Sequence, residues 1–523
     1  MPPSRGRLAA LVGAGIMVTR VLGFVRERVF AQYLGDSAAA GAFRAALRIP
    51  NVIRNLLGEG TLAASFIPVY AGMVERGETD DARRLAAVIA SLLVLVTAAA
   101  TLLGIVLAPV ITDFAAPGFE GDTRTLTIRL VEIMFPMSGI MILSGWCLGI
   151  LNTHRRFFLS YAAPAVWNVA QIAVLVGLGA VLVNGSRLVV ALAWGALAGS
   201  VLQVLVQLPT TLRLAGRIRW SLQRAAPGVR RVIRNWLPVM FGAGVYQVSG
   251  LIENQLASLL GPEAVAILGY AQLVALLPVS LFGISVAAVA LPELSRDAVG
   301  AGTEKLRRHI AEGARRVAFF VLPSAFAFAT LGNEIIAALF QTGAFGAAET
   351  VFAGGVLAAY AVGVPAQASV KLLASGHYAL GDTKTPVRIA AVSVTLSAAL
   401  ALLLMGRFGA PGIALGASLG AYVNLSLNFG LLSRRLGGIL GRPEHRAIGV
   451  TLGAAALAAL TAARAAALLE GGGTWLTALA TLAAFGAVFG AVTFAAGHPD
   501  ARGLARRLVG RGQGAGGGPA GTR

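Results

Sequence analysis

Long apolar runs separated by short polar, arginine-rich stretches dominate the chain. Read in order, they give fourteen apolar stretches at roughly 8–33, 38–74, 84–111, 125–151, 158–183, 187–210, 233–260, 263–293, 315–339, 349–377, 385–406, 410–432, 443–465 and 474–496. Most exceed the ~18 residues that a helix needs to cross a bilayer. A backbone facing lipid must satisfy its own hydrogen bonds, so each crossing is expected to be helical. The pattern therefore predicts an all-α polytopic membrane protein with fourteen transmembrane helices.

The polar stretches orient these helices. Alternate loops hold Arg76, Arg83 and Arg84; Arg155 and Arg156; Arg296, Lys305, Arg307 and Arg308; Lys384 and Arg388; and Arg434, Arg435, Arg442 and Arg446. The 211–235 loop alone has seven arginines and no acid. The intervening loops hold little beyond Arg124, Arg187, Arg407 and Arg464. Cytoplasmic loops are the basic ones, so both termini are expected in the cytoplasm. Pro2–Arg7 followed by Leu8–Val18 has the look of a signal sequence, but no cleavage site follows; it reads as a first span.

Composition narrows the class. The 523 residues are 57% hydrophobic and 13% charged, with a net charge of +20. That charge falls in loops between spans, where orientation demands it, so no nucleic-acid partner is expected. The single Cys147 excludes an internal disulfide and a cysteine metal site. The five histidines lie at or near helix ends without a metal-ligand spacing, and no nucleophile elbow or P-loop is present. No cofactor, metal or enzymatic activity is expected. A membrane-embedded glycosyl- or acyltransferase would need carboxylate or histidine pairs at a membrane face, and none assembles.

An internal repeat organises the spans. The Leu103-Gly104 and Leu331-Gly332 pairs lie 228 residues apart, as do Pro50 and Pro278. His154 and His377 are separated by 223 residues, and Pro164 and Pro386 by 222. Two pseudo-symmetric six-helix lobes in the same orientation are thus expected, with two extra C-terminal helices. The boundaries read 1–210 for the N-lobe, 211–235 for a basic cytoplasmic linker, 236–436 for the C-lobe, 437–496 for the last two helices and 497–523 for a disordered cytoplasmic tail. Parallel repeats suggest a transporter with its site between the lobes. The second span holds Pro50, Gly58, Gly60 and Pro68, and its counterpart holds Pro278, Gly283 and Pro292. Such paired breaks point to a transport site.

Candidate chemistry concentrates in 19–60, which holds Arg20, Arg26, Glu27, Arg28, Arg44, Arg48, Arg54 and Glu59. Each charge at mid-membrane costs about 2.5–3.5 kcal/mol. Arginines near helix ends snorkel to the headgroups. Arg20, however, stands twelve residues from Leu8, roughly 18 Å along a helix. A water-filled cavity holding an anion explains it better. Arginine presents a planar, permanently charged fork suited to phosphate, and phosphates on a lipid headgroup would match Arg20, Arg26 and Arg54. Lys371 adds a cation in the other lobe, and Glu253 an acid that either pairs with a cation or couples transport to an ion. Arg44 and Arg48, nearer the end of their span, are expected to tolerate alanine better.

Several stretches carry a family resemblance. TRVLGFVRE at 19–27, RIPNVIRNLLGEG at 48–60, LNTHRRF at 151–157, APAVWN at 163–168, LPELS at 291–295 and HYALGDTKTPV at 377–387 resemble the MviN/MurJ lipid II flippases of the multidrug/oligosaccharidyl-lipid/polysaccharide exporter superfamily. The resemblance implies transport of the undecaprenyl-pyrophosphate-linked peptidoglycan precursor, lipid II, from the inner to the outer leaflet of the bacterial plasma membrane. By motif match it implies substrate-binding roles for Arg20, Arg26, Arg54, Glu59 and Lys371; Glu253 stays a coupling candidate as an acid within its span, not by the match. Expected partners are lipid II and membrane lipids, for a monomeric transporter near the cell-wall synthesis machinery. Two positions depart from the family pattern. Gly41 stands where an acid is usual, and Leu273 where arginine is frequent; a paired gate is in question. The span at 385–406 offers Ser393, Thr395 and Ser397 but no carboxylate, so no sodium site is expected. The alternative is an exporter of drugs or of another lipid-linked glycan on the same scaffold.

Overall fold

The computed structural model describes residues 5–216, 220–223, 226–283, 286, 303–469 and 473–513. Among these it is helical with no strand; an isolated bridge joins Thr342 and Phe345. Ten helices are long and apolar enough to cross a membrane, or eleven if the pair bent by 84° at Leu331 counts as one span. The chain is therefore an all-α, multi-pass membrane protein. The helices α1 (Arg5–Leu34) and α2 (Ala38–Leu57), which hold the charged stretch, fall outside that apolar set.

Two compact units are present. The first comprises residues 1–269 and 340–349, the second 270–339 and 350–523. In the first unit α2 is followed by α3 (Glu59–Ser65), α4 (Ile67–Glu75), α5 (Thr79–Val106), α6 (Ala108–Ala115) and α7 (Gly121–Thr153). Then come α8 (Phe157–Ala162), α9 (Pro164–Gly179), α10 (Gly185–Ala215) and α11 (Val229–Leu260); α12 (Pro262–Pro278) starts here and runs into the second unit. The second span breaks as expected, but not at Pro50, which stays inside α2. It breaks at Gly58, whose φ of −100° and ψ of −132° leave the helical region, and again at Phe66 ahead of Pro68. The counterpart passes from Pro278 into one π-helical turn, Val279–Gly283, while Pro292 lies outside the described residues.

Phe66, Tyr70, Leu85, Ile89, Ile142, Trp146 and Ile150 are part of a buried apolar cluster where α3, α4, α5 and α7 meet. Elsewhere small residues let helices approach, because lipid gives no hydrophobic reason for them to associate. A side chain on Gly199 would run into Trp167 and Ala170, and one on Gly195 into Val174, which sets the spacing of α9 and α10.

The second unit continues with α13 (Thr303–Thr330), α14 (Gly332–Phe340), α15 (Ala347–Ala379), α16 (Lys384–Phe408), α17 (Ala410–Leu436), α18 (Arg442–Leu468), α19 (Thr474–Ala495) and α20 (Pro499–Gln513). Helices α16 and α17 pack tightly, with Gly416 against Ala401 and Gly420 against Ser397. Between α15 and α16, Gly381 turns the chain with φ +77°. Asp382 then accepts hydrogen bonds from the Thr385 amide (2.9 Å) and hydroxyl (2.7 Å), capping α16, and pairs with Arg435 at 2.7 Å. The Thr385 bonds first, then Arg435, hold the Asp382 carboxyl well below the usual carboxylate range.

The tail departs from the disordered expectation, since α20 occupies 499–513. Residues 514–523 lie outside the described residues. The reason is a buried anchor at its start. His498, 2% exposed, stacks on Phe319 with ring centroids 4.7 Å apart, and its Nε2 lies 3.2 Å from the Thr451 hydroxyl. Its Nδ1 accepts from the Asp500 amide, and the Asp500 carboxylate accepts from Arg315 at 2.9 Å.

Candidate functional site

Three faces of α1 are distinguishable at about 100° per residue. One packs on α8 and α9. A side chain on Gly15 would touch Tyr161 and Ala162, Thr19 donates its hydroxyl to the Tyr161 carbonyl (2.8 Å), and Arg26 reaches α9. A second face is apolar and exposed, with Met17 at 61%, Val21 at 52% and Val25 at 41%; it suits lipid. The third holds Gly13, Ile16, Arg20, Gly23 and Glu27. Nothing lies within 4 Å of a side chain built on Gly13 or Gly23, so this face opens onto free space. Arg20 projects from it and, among the described residues, makes no hydrogen bond or ion pair.

Two turns from Arg20 the same face is closed by an ion cluster. Glu27 is 9% exposed. Its Oε1 accepts from Arg26 Nη2 at 2.6 Å and its Oε2 from Arg44 Nη2 at 2.7 Å. Buried carboxylates need this, because an unpaired charge out of water is costly. Each arginine also lies over a ring: Arg26 over Trp167 at 4.8 Å from the centroid, Arg44 over Phe30 at 5.0 Å. Arg26 Nη1 donates to Asn168 Oδ1 at 3.1 Å. One carboxylate and two guanidiniums leave the cluster with a net positive charge facing the open side of α1.

Helix α2 aligns Arg44, Arg48, Asn51 and Asn55 at spacings of four, three and four, a single stripe. Asn55 donates to Gln247 of α11 at 3.3 Å, and a side chain on Gly250 would collide with the Arg48 guanidinium, so α11 lies along this stripe. Arg54 lies off the stripe, roughly 80° round the helix from Arg44. It turns toward α7, where its Nη1 lies 3.2 Å from the Met141 sulfur.

The predicted site residues thus separate. Arg20 and Arg26 share α1 but not a face, and Arg54 packs on the neighbouring helix. The backbone of Glu59 begins α3; its side chain lies outside the described residues. Glu253 is a half-buried residue of α11, ahead of Asn254 and Gln255, which donate to the carbonyls of Ala115 (2.7 Å) and Phe114 (2.6 Å). Lys371 is a half-buried residue of α15 in the second unit, as is Leu273 of α12. Arg44, expected to be the more expendable arginine as a charge reaching for the headgroups, is instead a half-buried partner of Glu27. The sequence reading also missed Trp167 and Asn168. A signal was there, since Gly15, Thr19 and Arg26 recur at i, i+4 and i+11, which assigns Arg26 to a packed face.

The unusual Gly41 has a steric cause. A side chain there would collide with the Pro262 carbonyl at the turn between α11 and α12, so no acid fits in this arrangement. Neighbouring glycines repeat the theme: Gly35 abuts the Ala344 carbonyl, Gly118 the Ser258 carbonyl and Gly343 the Gln32 carbonyl, while the Ala344 amide donates to the Gln32 carbonyl at 2.8 Å. Backbone contact closes this end of the first unit. Beside it, Asp36 has its carboxyl pushed up by burial and by the charges of Glu349 and Glu263.

Comparison with known proteins gives a consistent family. Residues 30–485 match the model of the family "Lipid II flippase MurJ". The chain is 33% identical over 430 residues to a probable lipid II flippase MurJ of Rhizobium tropici, covering 81% of this chain and 80% of that one. It is 32% identical over 435 residues to the lipid II flippase MurJ of Burkholderia cenocepacia, covering 82% and 84%. Its fold is similar to a solved lipid II flippase MurJ in an inward closed conformation, with a TM-score of 0.77 at 21% identity over 92% of this chain and 98% of that one. A more distant likeness, with a TM-score of 0.65 at 16% identity over 82% and 98%, is to an inward-facing multidrug resistance transporter of the MATE family. With most of its length matched by one family model and by relatives above 30% identity, the chain belongs to the MurJ lipid II flippase family.

Proposed function

We propose that this protein flips lipid II, the undecaprenyl-pyrophosphate-linked peptidoglycan precursor, from the inner to the outer leaflet of the bacterial plasma membrane for cell-wall synthesis. It acts as a transporter and not as an enzyme. The observation that carries this reading is Arg20: a cation on the open face of α1, without a protein partner among the described residues, next to an ion cluster of net positive charge. A pyrophosphate headgroup supplies the missing anion, and the polyprenyl tail stays in lipid. In this reading Arg26, Arg54, Glu59 and Lys371 are substrate-binding residues alongside Arg20, and Glu253 is the residue that couples transport to an ion. Two six-helix lobes joined by the 211–235 linker alternate the site between the two sides, with the last two spans outside the repeat. The whole makes fourteen spans and a monomer, working beside the cell-wall synthesis machinery.

Complementation tests the function. In a strain depleted of its own flippase, expression should restore growth and lipid II in the outer leaflet; restored growth without outer-leaflet lipid II would contradict the reading. For the coupling role, Glu253→Gln should change how transport depends on pH or sodium, and an unchanged dependence would reduce Glu253 to a structural partner. Cytoplasmic termini follow from the basic loops. In a Cys147→Ser background, Arg187→Cys should react with an impermeant thiol reagent added outside, and Ala225→Cys should not; the reverse pattern would overturn the orientation.

A further inference from the structure

We propose that Asn168 is a positioning residue for transport, holding the Arg26 guanidinium in the orientation that the headgroup meets. The reading of Arg26 as a headgroup ligand rests on the function proposed above; the positioning itself rests on geometry. Asn168 is 5% exposed in the first turns of α9. Its Nδ2 donates to two carbonyls, Thr19 of α1 and Pro164 of its own helix, both at 3.4 Å. Both neighbours are acceptors, so the amide can only point its nitrogen toward them. Oδ1 is thereby turned toward Arg26, whose Nη1 it receives at 3.1 Å. The adjacent residue completes the seat. Arg26 Cζ lies over the Trp167 ring, 4.8 Å from its centroid, and the Trp167 Nε1 is pinned to the Ala196 carbonyl of α10 at 3.1 Å. Gly199 keeps α10 close enough for that bond.

Arg26 is therefore fixed on three sides, by Glu27, Asn168 and the Trp167 ring. Two of its five N–H groups are used in these bonds. The rest stay available to an anion. A phosphate fork pays off only when the donor plane is preset, because a freely rotating guanidinium loses rotamer entropy on binding. Asn168 supplies that presetting from a separate helix, and it links it to the α8–α9 break through Pro164. Neither Glu27 nor Trp167 can do this alone, since one holds a single nitrogen and the other makes no hydrogen bond to the guanidinium.

The test uses the full chain in lipid nanodiscs and in proteoliposomes. Arg26 modification by phenylglyoxal, read by peptide mass spectrometry against the exposed Arg187, reports positioning without reference to any substrate. Asn168→Leu should raise Arg26 modification several-fold, and Asn168→Ala, which removes the same acceptor with a smaller side chain, should raise it likewise. In lipid II transport, Asn168→Leu should raise the half-saturating lipid II concentration about tenfold, the ratio set by one lost bond of about 1.4 kcal/mol, with the maximal rate little changed. Combined with Arg26→Lys it should add no further loss. Should Asn168→Leu fail to accumulate, Asn168→Ala decides: Arg26 modification unchanged in it would overturn the proposal. So would unchanged modification in Asn168→Leu, or losses that multiply in the double variant. A protein that moves no lipid II yet shows the modification pattern would refute the proposed function and leave the positioning intact.

Discussion

Arg44→Ala examines the ion cluster most sharply, because the sequence and the structure disagree about it. As a headgroup-seeking charge, Arg44 would be replaceable. As found, it shares Glu27 with Arg26, with side chains 17% and 12% exposed for Arg44 and Glu27. Removing one partner of a buried pair costs about 3–5 kcal/mol, chiefly because the other charge stays behind uncompensated. Here Glu27 keeps Arg26 at 2.6 Å, so the loss should lie at the lower end, about 3 kcal/mol. Replacing Glu27 as well removes the stranded charge. The assay is a double-mutant cycle on the purified protein, Arg44→Ala and Glu27→Gln singly and together, with reversible SDS unfolding as the readout. The double variant should be no less stable than Arg44→Ala alone, giving a coupling energy of about 1–3 kcal/mol. Simple addition of the two single losses would refute the paired cluster and return Arg44 to the surface-seeking role.

Three further expectations follow from packing and titration. Gly41→Ala should lower stability by about 1–3 kcal/mol through collision with the Pro262 carbonyl, whereas Gly60→Ala, with nothing within 4 Å, should be neutral or better in the same unfolding assay; equal effects would show that the α2 contact is not tight. Asp382→Ala should cost about 1 kcal/mol as a lost helix cap, and since the carboxyl's pKa is held low, that contribution should be full above the ordinary value of 3.8 and decline as pH falls from there to the depressed value, which acid titration of the unfolding midpoint checks. Burial, the largest cause, depresses the pKa of His498, so docking of α20 is stabilised above the ordinary imidazole value of 6.5 and weakens as pH falls below it toward the depressed one; the protection of 499–506 against hydrogen exchange, corrected for the intrinsic rate at each pH, should therefore fall between pH 7.5 and 5.5, and His498→Leu, whose protection should not change over that range, is the control that must differ.

What was legible in the sequence was what repeats or what costs most. Apolar run length gave the helices, and the arginines of 19–60 stood out because charge in a membrane is expensive. The break in the second span was visible as Pro50, Gly58 and Pro68, yet Pro50 proved compatible with a continuous α2, since a neighbouring helix can shelter a proline's lost bond. Pairing was the illegible part. Nothing local says that Glu27 takes both Arg26 and Arg44, because their partnership depends on how α1 and α2 face one another. Asn168 lies 142 residues from Arg26, and only the fold of α9 against α1 brings them together. Gly41 read as a lost acid; its real constraint, a carbonyl 221 residues away in the chain at Pro262, is a contact that no spacing encodes. The ordered α20 was hidden by its glycines, with its anchor in His498 just before the helix begins.

The central claim is that Arg20 is a phosphate ligand and not a generic positive charge. Outer-leaflet lipid II should be measured in a strain depleted of its own flippase and carrying Arg20→Ala or Arg20→Lys, with protein amounts matched to the unaltered chain. Lysine keeps the charge but loses the two-donor fork, and one lost charge-assisted bond of roughly 1.5–3 kcal/mol cuts binding about tenfold or more. The expected result is lipid II at the depleted level for Arg20→Ala and a partial recovery for Arg20→Lys. Normal outer-leaflet lipid II with Arg20→Ala would contradict the account, because the cation facing open space on α1 would then have nothing to bind.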